Sequence, residues 1–335
     1  MKYTVFGKTG LRVSQIALGT GTFGTGWGHG ADPETSQAVF DAYAEAGGNF
    51  IDTADIYQFG QSEEILGTLL AGRRENFVLA TKFTNGAVPN ADRLVTGNSR
   101  KALVDSVEGS LKRLKTDRID IYWVHHPDGV TPAEEIVRGF EDLARAGKIL
   151  YAGLSNFPAW RLARAVTLAE LTHAVPIAAA QFEHSLVHRQ PEADLFAAVE
   201  ALGLGAVTWS PLGGGMLTGK YRHGEKGRAE GMGGRVFQPE NSEQRTRILD
   251  TVLAIAGELG VSADQVAIAW AGTHGAVPMI GPRSLDQFSS NIGAIAVELS
   301  ADQLGRLDSV SSLDPSAPAR EPAAWASGES AKAIA

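Results

Sequence analysis

The chain has 335 residues, enough for two average domains or one large α/β barrel, and its 44% apolar and 20% charged composition supplies a large core. A formal net charge of −8 argues against nucleic acid or an anionic membrane as the main partner. The absence of cysteine excludes a disulfide scaffold, a thiolate metal site and a Cys nucleophile.

No signal peptide is expected, because the opening Met-Lys-Tyr-Thr-Val-Phe-Gly lacks an apolar segment. No apolar run approaches the ~20 residues a membrane helix needs, and a cytoplasmic location suits the chain. Residues 2–15 read as a β-hairpin around the turn signal Gly7-Lys-Thr-Gly10. Ile16 to Gly19 is a short strand, and a loop with five glycines from Gly19 to Gly28 follows. Asp32 as N-cap and Pro33 at the first helical position start a helix whose apolar face is Ala38, Val39, Ala42, Tyr43 and Ala46.

From there strand and helix patterns alternate. Strands are expected at Phe50–Ile51, Phe77–Thr81, Ile119–Val124, Ile149–Leu154, Ile177–Gln181, Gly205–Trp209 and Ala276–Ile280. Among the helices between them, Ser62 reads as a cap, and Thr131-Pro-Ala-Glu134, Ser262-Ala-Asp-Gln265 and Ser284-Leu-Asp-Gln287 read as capping boxes. The connection over residues 212–240 is glycine-rich and charged, as a covering loop would be. The tail over residues 315–335, rich in Ala, Pro and Ser, reads as loosely held. Counting from Ile16 there are eight strand candidates and no linker-like break. This predicts one (β/α)₈ TIM barrel over residues 1–335 with an N-terminal hairpin cap and its site at the C-terminal strand ends. A doubly wound sheet is the rival. Gly19-Thr-Gly-Thr-Phe-Gly24 has the dinucleotide-binding spacing, but its helix begins too late, and Asp52 lies about 30 residues on rather than ~20.

Three successive strands run into an ionisable residue: Asp52 with Tyr57 just beyond it, Lys82, and His125. Singly, each has an ordinary structural reading as a cap, a surface pair or a satisfied strand-end group. Together they form an acid–base set. A free phenol, with a pKa of about 10, is too weak an acid to protonate an alkoxide well at neutral pH, and a neighbouring ammonium strengthens it. Lys82 would supply the ammonium, Asp52 would hold it, and His125 would hydrogen-bond a carbonyl oxygen. The set suits proton delivery to oxygen as hydride reaches carbon, and the hydride has to come from a nicotinamide cofactor. No metal is expected, since His184 and His188, four residues apart with Glu183 nearby, lack a marked third ligand.

The ordered series Gly-Lys-Thr-Gly-Leu-Arg-Val-Ser, Phe-Ile-Asp-Thr-Ala-Asp-Ile-Tyr, Ala-Thr-Lys, Asp-Ile-Tyr-Trp-Val-His, Gly-Leu-Ser-Asn-Phe, Gln-Phe-Glu, Trp-Ser-Pro-Leu and Ile-Gly-Pro-Arg-Ser resembles the aldo-keto reductases from Phe6 to about Leu307. The resemblance implies a barrel that binds NADPH, with NADH possible, across its mouth and reduces a small-molecule aldehyde or ketone. Tyr57 matches the general acid, and Asp52, Lys82 and His125 match its partners. The cofactor contacts implied are Gly21, Thr22, Asp52, Ser155, Asn156, Gln181, a stacking Trp209, and Ser210, Pro211, Leu212, Gly214 and Lys220 along the pyrophosphate. Gly281, Arg283, Ser284, Gln287 and Asn291 would receive the adenosine 2′-phosphate end, where a helix N-terminus beside an Arg makes an anion site. Trp27, Phe59, Phe83 and His126 are expected in the substrate pocket. A monomer is the family default. Voltage-gated potassium channel β subunits share the motifs, so a cofactor-binding sensor subunit with slow turnover is the alternative. A barrel glycosidase fits poorly, since it needs two carboxylates flanking the pocket.

Overall fold

A computed structural model describes residues 1–223 and 237–313. The tail expected to be loose, and residues 224–236 of the long connection, lie outside the described residues. Strands β1 (Tyr3–Val5) and β2 (Arg12–Ser14) pair antiparallel. Eight parallel strands then close into a barrel: β3 (Ala17–Gly19), β4 (Phe50–Asp52), β5 (Val78–Phe83), β6 (Ile119–Val124), β7 (Ile149–Ser155), β8 (Ile177–Glu183), β9 (Gly205–Trp209) and β10 (Val277–Ile280). They pair in chain order, and β10 closes on β3 through Met279↔Ala17 and Ile280↔Leu18.

The hairpin plugs the N-terminal end of the barrel. Phe6 is buried among inward-facing residues, its ring 5.4 Å from Phe50. Gly205 makes room for it, because a Cβ there would meet the Phe6 ring at 2.5 Å. Burying one such ring contributes about 2 kcal/mol.

Strand side chains alternate between two environments. Ile121 and Trp123 on β6, Val78 and Ala80 on β5, and Phe50 on β4 belong to the barrel interior. Tyr122, Val124, Leu79, Phe83 and Ile51 pack outward against the helices. The interior is filled by size matching: a Cβ on Gly153 would stand 2.3 Å from the Trp123 ring. Carried one step toward the C-terminal end, the inward parity reaches Asp52, Lys82, His125, Ser155, Gln181 and Trp209. The parity therefore gathers these residues at one mouth.

Several local expectations are corrected. Ser62 lies inside helix Gln61–Leu69 rather than capping it. Its hydroxyl bonds the Thr20 carbonyl at 2.8 Å and the Thr20 and Thr53 hydroxyls at 2.9 Å. Helix Ala133–Arg145 has Pro132 at its cap with no side-chain bond, because the Thr131 hydroxyl donates to Asp128 at 2.6 Å. Ser284 does cap helix Leu285–Ile292, but the Gln287 side chain accepts from the Arg283 N–H instead of returning to Ser284. The box at Ser262 and Gln265 forms, and Asp32 caps helix Pro33–Glu45. Within that first helix Val39 and Tyr43 of the expected face are buried with Ser36 and Phe40, Ala42 and Ala46 pack against the core while partly buried, and Ala38 is exposed. Among the described residues no single helix is long and apolar enough to cross a membrane.

Candidate active site

The Lys82 ammonium is fully buried and has three acceptors around it. It is ion-paired with Asp52, donates to the Thr53 carbonyl at 2.9 Å, and donates to the Tyr57 hydroxyl at 3.1 Å. The second carboxylate oxygen of Asp52 accepts from Gln181 at 3.0 Å. Burial raises the Asp52 pKa, and the adjacent ammonium opposes that shift. Burial alone would lower the Lys82 pKa, but Asp52 and Tyr57 more than reverse it, so the amine stays charged. The His125 ring stands 5.8 Å from the Tyr57 ring, nearly perpendicular to it. Burial, with the Lys82 and His126 charges adding to it, drives the His125 pKa well below its ordinary value, so the ring is neutral at physiological pH.

Tyr57 opens a tight turn in which Gln58 and Phe59 take left-handed backbone, with φ of 53° and 56°. Such backbone in non-glycine residues is strained and persists only where surrounding contacts hold it. The Gln58 side chain supplies some of them. It donates to the Gly21 carbonyl and accepts from the Trp27 N–H, both at 2.9 Å. Gln61 accepts from the Thr25 and Gly26 N–H groups at 2.9 and 3.1 Å. These two glutamines strap the glycine loop over Tyr57. The sequence reading missed both, and only their place directly after the Tyr could have hinted at the role.

Asp55 was missed too. Its N–H donates to the Lys82 carbonyl at 3.0 Å, while neither oxygen of its buried carboxylate finds a well-formed donor. Burial pushes its pKa up to about 7, the negative charge of Glu63 adds to the shift, and Arg113 partly offsets it.

A cleft of about 870 Å³ runs across the mouth and is lined by Tyr57, His125 and His126 at one end and by Arg283, Gln287 and Asn291 at the other. Gly21, Thr22, Trp27, Asn156, Gln181, Trp209, Ser210, Pro211, Leu212, Gly214, Lys220 and Gly281 line it as well. Asp52, Lys82 and Ser155 are fully buried behind it. Ser284 also stands back from the lining, as the helix cap. Two of the expected pocket aromatics are corrected. Phe83 has the outward parity of β5 and stacks on Tyr122 with ring centres 5.2 Å apart, inside the core. Phe59 packs edge-on behind Trp27 at 6.3 Å and does not reach the cleft.

The cleft has the chemistry a dinucleotide needs. Asn156 donates to the His125 carbonyl at 2.9 Å and to the Ser155 hydroxyl at 3.0 Å, and its oxygen accepts from the Trp209 indole at 3.0 Å. That last bond fixes the Trp209 plane beside the amides. Gly213, Gly214 and Gly215 all take positive φ, which lets the backbone pass close to the cleft. Lys220 provides positive charge along it. At the far end the Arg283 guanidinium has no carboxylate partner among the described residues, and the N-terminus of helix Leu285–Ile292 stands beside it. One N–H of the Asn291 amide donates to Asp264 at 2.6 Å.

The histidines weighed as metal ligands diverge. His184 bonds Glu192 at 2.7 Å, whereas His188 turns toward Glu183 at 3.8 Å. His274 approaches Glu192 to 3.8 Å, but Arg189 donates to both oxygens of that carboxylate, at 2.8 and 2.6 Å.

A closed parallel barrel with a buried Asp–Lys pair, a phenol and an imidazole at one end of a long cleft defines a class of oxidoreductase. The chain belongs to the aldo/keto reductase family, whose family model matches residues 15–312. It is an NAD(P)H-dependent oxidoreductase. It is 36% identical to the uncharacterized oxidoreductase YrpG of Bacillus subtilis over 92% of this chain and 96% of that one. It is 34% identical to norsolorinic acid reductase of Aspergillus flavus over 91% and 79%. A probable voltage-gated potassium channel subunit beta of rice is 35% identical over 89% and 92%.

Proposed function

We propose that this protein reduces an aldehyde or ketone to an alcohol with NADPH, using Tyr57 as general acid. The observation that carries the reading is the Lys82 ammonium placed between Asp52 and the Tyr57 oxygen. The nicotinamide supplies the hydride to the carbonyl carbon when bound. Tyr57 accepts a hydrogen bond from Lys82, so its own hydrogen is available to the carbonyl oxygen. As the proton leaves, Lys82 stabilises the phenolate, and Asp52 keeps Lys82 charged. His125 donates a hydrogen bond to the same carbonyl oxygen and orients it. These terms act in a site shielded from water, where fixed dipoles and charges count for more.

On this reading Asn156 and Gln181 hold the carboxamide, Ser155 supports Asn156 from behind, and Trp209 stacks on the ring. Lys220 and the glycine turn meet the pyrophosphate, and Arg283 with the helix N-terminus meets the 2′-phosphate, which favours NADPH over NADH. Trp27, Trp209 and Phe237 give the mouth aromatic surface, which suits a flat, apolar carbonyl compound.

The test is Tyr57→Phe. Turnover of a carbonyl panel is expected to vanish while NADPH binding, followed by fluorescence, persists. Full activity would overturn the mechanism. A cofactor-binding subunit role, in keeping with the name of the rice relative, would instead show tight NADPH binding and no turnover of any carbonyl by the unaltered protein.

A further inference from the structure

We propose that Asn85 is a positioning residue that sets the tautomer of His125, holding the imidazole with its proton on Nε2 so that it can donate to the substrate carbonyl. The proposal rests on the role given to His125 under the proposed function.

A neutral His125 has two tautomers, and only the one with hydrogen on Nε2 leaves Nδ1 free to accept. The Asn85 amide lies between the two histidines. Its nitrogen faces His125 Nδ1 at 3.4 Å and its oxygen faces His126 Nε2 at 2.8 Å. An amide oxygen only accepts, so His126 carries hydrogen on Nε2. An amide nitrogen only donates, so His125 Nδ1 carries none and the proton sits on Nε2. With the amide in this orientation its oxygen pairs with His126 and its nitrogen with His125, and the amide orients the proton. The adjacent backbone is held in a conformation that serves this. Thr84, a β-branched residue, has φ of 136°, where such residues are strained. The Thr84 hydroxyl donates to Asn98 at 2.7 Å and accepts from the His125 N–H at 3.3 Å. The Thr84 carbonyl accepts from Gly97 at 2.7 Å. The bond from the His125 N–H ties this strained residue directly to His125.

The test compares two variants of the full chain with NADP⁺ bound. Asn85→Asp keeps the shape but offers only acceptors, so it favours hydrogen on His125 Nδ1. Asn85→Ala removes the bias. Ring nitrogen shifts in ¹⁵N-histidine-labelled protein, assigned with His125→Gln, read the tautomer directly and independently of turnover. The unaltered protein is expected to show protonated Nε2 and bare Nδ1 at His125, and Asn85→Asp to show protonated Nδ1. At pH 8, kcat of Asn85→Asp is expected to fall about 100-fold and that of Asn85→Ala about tenfold. In Asn85→Asp, kcat should recover as pH falls and His125 gains its second proton. A His125 of the unaltered protein protonated on Nδ1, a tautomer unchanged in Asn85→Asp, or equal losses in both variants without pH recovery would each overturn the proposal. Failure of Tyr57→Phe to abolish turnover would overturn the proposed function and leave the tautomer result standing.

Discussion

Lys82 and Tyr57 meet through a hydrogen bond of 3.1 Å from ammonium to phenol oxygen, which fixes the direction of proton flow. Because the ammonium has no acceptor capacity, the phenol is the acceptor there and keeps its own hydrogen for another partner. Replacing Lys82 by Met removes this direction and strands Asp52 in the core. Turnover is expected to be lost, and stability to drop by about 3–5 kcal/mol, the usual cost of breaking a buried pair by removing one partner. Carbonyl-reduction assays and urea unfolding check the two effects.

Arg283 governs the choice between the two nicotinamide cofactors. Arg283→Ala is expected to raise KM for NADPH about 10- to 100-fold, the equivalent of one or two charge-assisted hydrogen bonds, with KM for NADH nearly unchanged. Parallel steady-state kinetics with the two cofactors decide it. Equal losses would remove the 2′-phosphate from this end of the cleft.

Asp55 makes stability depend on pH. Its carboxyl titrates near an ordinary 3.8 when unfolded and at about 7 when folded. The folded protein therefore binds more protons between those values. The contribution is fully present below about pH 4 and is lost as pH rises to about 7, amounting to about 4 kcal/mol at most. Asp55→Asn should flatten this slope and stand above the unaltered protein in Tm at pH 8. A parallel pair of Tm–pH curves would defeat the assignment.

The barrel interior tolerates no extra atom at Gly153. Gly153→Ala pushes a methyl group against the Trp123 ring and is expected to cost about 1–3 kcal/mol through overpacking. Denaturant midpoints measure it. Gly153→Ala with Trp123→Phe should recover part of the loss, since the smaller ring vacates the space.

By itself, the sequence determined the barrel and the depth of the site. Short apolar runs separated by helical patterns marked all eight barrel strands, and an inward parity along those runs sets Asp52, Lys82, His125, Gln181 and Trp209 on one end. The same parity argues against Phe83 in the pocket, one residue beyond Lys82, so that expectation misread a signal already present in the chain. Capping at Ser62 and Thr131 was misplaced for a different reason. Their hydroxyls have tertiary or loop acceptors nearby, and local propensity cannot see those.

Tertiary structure alone decided which atoms meet. The three acceptors around Lys82 come from the end of β4 and the turn after it, 25 to 30 residues before Lys82 in the chain. The straps of Gln58 and Gln61 reach back more than thirty residues to the glycine loop. Asn85 finds two imidazoles forty residues away. Such contacts depend on strand register and on backbone held at positive φ, and both are stabilised only when the barrel closes. A one-dimensional pattern can therefore say which face a side chain takes but not which lone pair it meets.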